Sequence, residues 1–210
     1  MERTAEGARR YGGRAAEERV AERRARLLEA GLDLMGTRGV AGTTVRGIAE
    51  RSGLAARYFY ESFPSIEALQ LAVFEQIAAE AADRALGALA TAPAAAPART
   101  RAVLAEMVDL LLEDPRKGRV ALIESITSPV LGPRVLEESR RFAGMLAATA
   151  SAGDPGAAPE GLPVEVRLRA QFLIGGVAHT VGAALQGDIA VERERLVDVL
   201  VDLFLTISPA

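Results

Sequence analysis

Arg57, Tyr58 and Tyr60 fall in "RYFYESF" (57–63), where four of the chain's nine aromatic rings occupy seven positions. A guanidinium beside phenolic hydroxyls suits recognition rather than bond-making. Arginine meets guanine O6 and N7 with two donors, and a tyrosine hydroxyl donates to a phosphate oxygen. On a helix Phe59 and Phe63, four apart, share a buried face. Ala56, Arg57 and Tyr60 then sit opposite, with Tyr58 at the edge. Other chemistries have little to work with. The chain has no cysteine and one histidine, His179, so metal sites and a Ser-His-Asp triad are not expected. No Gly-rich phosphate loop or nucleophile–base pair is visible, and Glu137-Glu138 reads as a solvated face. Neither an enzyme nor a cofactor is expected.

The elements that position these residues read as helices almost throughout, because alanine and leucine abound and apolar spacings of three and four recur. The fold class is all-α. Residues 1–16 read as a flexible basic arm, with Gly7, Gly12 and Gly13 among Arg9, Arg10 and Arg14. A first helix is expected from about Glu17 to Thr37, with a stripe of Val20, Leu27, Leu28, Gly31, Leu34 and Met35, and with Gly39 as its stop. A short helix follows from about Thr44 to Arg51, with Thr43 as its cap. Gly53 is free to take positive φ in the turn, and a second short helix covers about Ala55 to Ser62. Pro64 breaks it and opens a long helix to about Ala90. "TAPAAAPA" (91–98) is a linker, and further helices are expected at about 99–113, 118–126, 133–150, 163–186 and 190–207. "SAGDPGAAPEGLP" (151–163) is the longest evident loop.

The net charge of −3 is unevenly spread. Residues 1–62 carry +3 and residues 63–210 carry −6, and all but one of the 25 cations are arginine. A basic N-terminal part on an acidic remainder permits a phosphate-facing surface at one end. The absence of cysteine fits a reducing, cytoplasmic setting. The charged N-terminus has no apolar h-region, so no signal peptide is expected. The longest uncharged stretch, 170–187, contains Gln171, His179 and several glycines, and reads as a buried helix rather than a membrane span.

Two short helices joined by a glycine-bearing turn form a helix-turn-helix, whose second helix lies in the major groove of DNA. Thr44, Arg46 and the amides that open the 44–51 helix are placed to hold a phosphate. "TTVRGIAERSGLAARYFYESFPSIEALQLAVF" (43–74) resembles the DNA-binding region of the TetR family of transcriptional regulators. Thr43, Thr44, Val45, Ile48, Ala49, Gly53, Phe59, Tyr60, Phe63, Ser65, Glu67 and Leu69 match that family's pattern in order and without gaps. The resemblance implies a homodimeric repressor with a DNA-binding domain over 17–63. It implies an effector-binding and dimerisation domain over 64–210. Its expected DNA contacts are Thr43, Thr44, Arg46, Ala55, Ala56, Arg57, Tyr58, Tyr60 and Ser62. Three departures stand out. Ala55-Ala56 replaces a common Ser-Lys, Ser62 replaces a common His, and Ile66 replaces a common Lys. With two phosphate cations missing, a shallow salt dependence of DNA binding is expected.

In the remainder, the 163–186 helix is apolar nearly all round. Leu168, Phe172, Gly175, His179 and Gly182 make one stripe; Leu173, Val177, Val181 and Ala184 make another. Such a helix must be covered on all sides, and a second copy of the chain is the simplest cover. Gly175, Gly176, Gly182, Ala183, Leu196, Leu200 and Leu203 are the expected dimer contacts. Met107, Leu111, Phe142, Met145, Leu146 and Phe172 are candidate walls of an effector pocket, with His179 as its polar contact. An apolar lining favours an uncharged, hydrophobic effector. The alternative is a helical small-molecule-binding or scaffold protein whose helix-turn-helix no longer binds DNA.

Overall fold

Alanine, leucine and arginine favour the helical backbone, and helix is the only regular structure among the described residues. The computed structural model describes residues 3–152 and 162–207, with side chains for 17–147 and 162–207. The helices are α1 (Arg3–Arg38), α2 (Val45–Ser52), α3 (Ala56–Ser62), α4 (Ile66–Thr91) and α5 (Ala96–Glu113). After these come α6 (Pro115–Arg119), a π turn (Val120–Glu124), α7 (Ser125–Thr127), α8 (Gly132–Ala152), α9 (Val164–Gln186) and α10 (Arg193–Ile207). Most of the 151–163 loop lies outside the described residues. No helix of the described residues is long and apolar enough to cross a membrane.

Two elements differ from the sequence reading. First, α1 begins at Arg3, so residues 3–16, read as a flexible arm, continue the helix. Alanine and arginine lie between the glycines there, and both rank among the best helix formers. Second, the helix expected at 118–126 begins earlier, at Pro115. Proline suits a first helical turn, and the Asp114 carboxylate caps it by accepting from the Arg116 amide at 3.2 Å. Arg116 also holds that carboxyl group below its usual range. The π turn that follows had no counterpart in the apolar spacing.

The chain divides into two compact units, Met1–Val73 and Phe74–Ala210. The division lies inside α4 rather than at Phe63/Pro64. The first unit packs α1, α2, α3 and the opening turns of α4. Its buried side chains include Leu27, Leu34 and Met35 of α1, Ile48 of α2, Phe59 of α3, and Leu69 and Val73 of α4. Gly31 lets α1 and α4 approach, since a β-carbon there would stand 2.6 Å from the Leu69 side chain. Val20, expected on the α1 stripe, is 52 % exposed. The buried part of that stripe begins at Leu27.

The second unit has two apolar clusters. Leu104 and Val108 of α5 meet Val181 of α9 and Leu196, Val197, Leu200 and Val201 of α10. Ala143 and Ala147 of α8 meet Ala170 of α9. Ion pairs fasten the edges. Lys117, the only lysine, donates to Glu80 at 2.6 Å, and Arg84 bonds both Glu80 and Glu113 at 3.1 Å. Arg193 is bidentate on Asp109.

Two glycine substitutions should separate packing from propensity. A β-carbon at Gly118 would run into Leu185 and stand 2.9 Å from the Leu111 carbonyl oxygen. Gly118→Ala is therefore expected to destabilise the second unit by about 1–3 kcal/mol, as overpacking does. Gly87→Ala meets nothing and should stabilise α4 by about 0.5–1 kcal/mol. Urea unfolding of the two variants gives opposite signs if this packing is right.

Candidate nucleic-acid interface

The α2–α3 pair is short and held at its ends. α2 opens on Thr44, whose hydroxyl oxygen accepts from the Gly47 amide at 3.1 Å. It closes on Gly53, at φ 67°, whose amide reaches the Ala49 carbonyl. That left-handed residue turns the chain into α3 with no β-carbon to strain it. Ser52 fixes the same turn, accepting from the Leu54 amide at 3.3 Å. α3 opens on Ala55 without any side-chain cap and closes when the Phe63 amide bonds the Phe59 carbonyl at 2.8 Å.

The rings divide as their spacing requires. Phe59 is fully buried and Phe63 nearly so, with ring centroids 5.8 Å apart. Tyr60 is 63 % exposed and meets the Phe59 ring edge-on at 5.4 Å. Ala55, Ala56 and Arg57 are exposed, and Tyr58 and Ser62 are half-buried. The Arg57 guanidinium donates to the Tyr58 hydroxyl at 2.9 Å, a bond that raises its pKa further. One short helix thus presents a cation and two phenols outward from a fully packed inner face.

The threonines exchange the roles read from sequence. Thr43, expected to cap α2 and to contact DNA, is buried, and its hydroxyl donates to the Gly39 carbonyl at 3.0 Å. It serves the turn after α1. Thr44 is the cap and is exposed, and its own proton stays available to a phosphate. Arg46 is also exposed, but Glu50, one turn on, accepts from it at 2.8 Å. That bond raises the arginine's pKa and offsets much of the charge it would offer DNA.

Three arginines of α1 belong to this site and were not singled out in the sequence. Arg26 donates to the Ser52 carbonyl at 2.6 Å, and Arg24 donates to the Ser62 carbonyl at 3.0 Å. Each thereby places a cation at a helix C-terminus, where the carbonyls are unsatisfied and the helix dipole is negative. Arg24 also lies over the Phe63 ring at 4.2 Å. Arg23 lies over the Tyr58 ring at 4.8 Å. A signal was present: the α1 stripe requires apolar residues one turn before Leu27, and positions 23 and 24 hold arginine.

The other expected sites are less coherent. Leu111 packs on the α5–α9–α10 cluster and Leu146 on the α8–α9 cluster, while Met107, Phe142 and Met145 are half-buried. Phe172, at 65 % exposed, and His179 face outward, because α9 turns Ala170, Leu173 and Val181 inward instead. Of the expected dimer contacts, Leu196, Leu200 and Gly182 are buried in the chain's own core, and Ala183 is half-buried. Gly175, Gly176 and Leu203 are exposed. No group of three or more His, Asp or Glu among the described residues is placed to hold a metal ion.

Residues 27–73 match the family model described as bacterial regulatory proteins, tetR family. No curated protein matches the chain. Several solved structures share its fold. The fatty acid degradation regulator FadR from Bacillus halodurans is 18% identical, with a TM-score of 0.73 over 87% of this chain and 94% of that one. FadR from Bacillus subtilis, in complex with stearoyl-CoA, is 20% identical, with a TM-score of 0.71 over 87% and 97%. A tetR-family transcriptional regulator from Streptomyces coelicolor is 20% identical, with a TM-score of 0.70 over 89% and 80%.

The two aromatic neighbours Phe59 and Tyr60 should separate in a stability measurement. Phe59→Ala is expected to cost about 3–5 kcal/mol, as for a fully buried aromatic. Tyr60→Ala should cost no more than about 1 kcal/mol, the worth of its edge-on ring contact. Hydrogen exchange of the α2 and α3 amides reads both. The α2–α3 helix-turn-helix, packed on α1, and the family match over residues 27–73 make this part of the chain similar to the DNA-binding region of the tetR family of bacterial regulatory proteins, and the solved structures share the all-helical fold of the whole.

Proposed function

We propose that the protein is a cytoplasmic homodimeric repressor, which binds a palindromic operator through paired α3 helices and leaves it when a small apolar effector binds the C-terminal part. The observation that carries the DNA-reading part is the two-sided α3, with Phe59 fully buried and Arg57 and Tyr60 facing solvent. Arg57 reads a guanine edge in this scheme, while Tyr58, Tyr60, Ser62 and Thr44 hold phosphates. Ala55 and Ala56 let the backbone of α3 approach closely. Residues 64–210 serve the effector and the partner subunit.

The dimer rests on the outer face of α9. Val164, Leu168 and Phe172 are each more than half exposed, and among the described residues nothing lies within reach of a β-carbon at Gly175 or Gly176. These positions recur every three or four residues and form one apolar stripe with two small residues in it. A second copy related by a two-fold axis covers such a stripe with itself. A dimer also suits DNA reading, because paired recognition helices about 34–36 Å apart meet successive major grooves. An effector that prefers the non-binding arrangement then shifts the population off DNA. The stearoyl-CoA bound by Bacillus subtilis FadR carries an apolar acyl chain, and uncharged long-chain acyl compounds are the first effectors to try.

Sheared source-genome DNA, captured on the protein at low salt and sequenced, tests the reading. An enriched, roughly palindromic site is expected. Arg57→Ala with Tyr60→Phe should lose that enrichment while keeping helix content, since one bidentate base contact is worth about 1–3 kcal/mol. A folded wild-type dimer that enriches nothing favours the ligand-binding alternative. For the dimer, Phe172→Asp places a charge in the stripe and is expected to yield a folded monomer by sedimentation. A dimer unaffected by that charge places the interface elsewhere.

A further inference from the structure

At the exposed end of the α1–α3 contact, three guanidinium groups gather around two rings. Arg23 and Arg57 lie 4.8 and 4.7 Å from the Tyr58 ring centroid, and Arg24 lies 4.2 Å from that of Phe63. None of the three forms an ion pair among the described residues. Their neighbours differ: Arg46 is paired with Glu50 at 2.8 Å and Arg51 with Asp33 at 2.7 Å. Arg24 is committed to the Ser62 carbonyl and Arg57 to the Tyr58 hydroxyl. Arg23 donates no hydrogen bond among the described residues, so its donors remain available to a ligand.

Sharing one ring puts Arg23 and Arg57 within about 10 Å of each other, close to a Debye length at physiological salt. Two cations that close repel in the free protein, and an anion between them relieves the repulsion. The ring explains why the charge is arginine. A guanidinium stacks flat on an aromatic face and keeps its in-plane donors free, whereas an ammonium ion stays strongly hydrated.

We infer that Arg23, seated on Tyr58, is a DNA-phosphate contact supplied from α1, replacing the cations absent at Ala56 and Ile66. The inference rests on the DNA-binding reading above and deepens it. Arg24 is a positioning residue for α3, and Tyr58 is a platform for Arg23. The salt dependence of binding is then steeper than positions 56 and 66 alone imply.

The test is binding of full-length protein to a mixed-sequence DNA duplex across a series of KCl concentrations. Each phosphate contact contributes about 0.9 to the slope of log K against log salt. Arg23→Gln should flatten the slope by about that amount per bound subunit and weaken unrelated sequences equally. Arg23→Lys, which keeps the charge, should retain the slope. Arg23→Met keeps an unbranched stem on the ring without the charge and should behave as Arg23→Gln, even if the shorter amide loosens α3. Binding with an unchanged slope in either neutral variant overturns the inference alone. Wild-type protein that binds no duplex at any salt overturns the DNA-binding reading itself.

Discussion

The fully buried Phe59 ring governs what the N-terminal unit can do. α3 spans only Ala56–Ser62, far below the length at which a helix holds itself together in water. It also opens without a side-chain cap. Its form therefore comes from tertiary contacts: Phe59 in the core, Phe63 tilted against it, and Arg24 on its last carbonyl. Burying Phe59 fixes the rotation of the helix about its axis. With that rotation set, Arg57 and Tyr60 have no choice but to face outward. The orientation of the outward face is thus a consequence of inward packing.

The α1 arginines extend the same logic to the ends of both short helices. A helix terminus leaves carbonyls unsatisfied, and in so small a unit no further backbone is at hand to meet them. Arg26 reaches the end of α2 and Arg24 the end of α3. One rigid helix thereby sets the spacing of both. The arrangement also accounts for the use of charge in an acidic chain. In α2 the cations are neutralised by carboxylates, through Arg46–Glu50 and Arg51–Asp33. On the α1–α3 side they rest on rings and carbonyls, which hold them without cancelling them.

Elements and faces were legible in the sequence wherever one helix alone decides them. The Phe59/Phe63 spacing, the turn at Gly53 and the two stripes of α9 each follow from a local period, and all are present. Contacts between elements were less legible. Thr43 and Thr44 are chemically alike, and only the path of the chain after Gly39 decides which one caps α2. Leu196, Leu200 and Gly182 read as equally suited to a partner or to the chain's own core. α5 settles the matter by placing Leu104 and Val108 against the two leucines and Val181. The effector residues were the least legible, because a cavity belongs to several helices at once and leaves no period on any of them.

α9 then poses a physical requirement that the described residues leave unmet. Its inner face closes on α5, α8 and α10 through Ala170, Leu173 and Val181. Its outer face leaves Leu168 and Phe172 both 65 % exposed, beside two glycines with open space above them. Isolated apolar residues at a surface need no explanation, but a contiguous stripe does. Glycine in mid-helix costs stability unless something approaches closely, and among the described residues nothing approaches Gly175 or Gly176. At Gly118, by contrast, the Leu111 carbonyl and the Leu185 side chain fill the space a β-carbon would take. The same residue type is thus accounted for by close packing at position 118, whereas at 175 and 176 no such contact lies among the described residues.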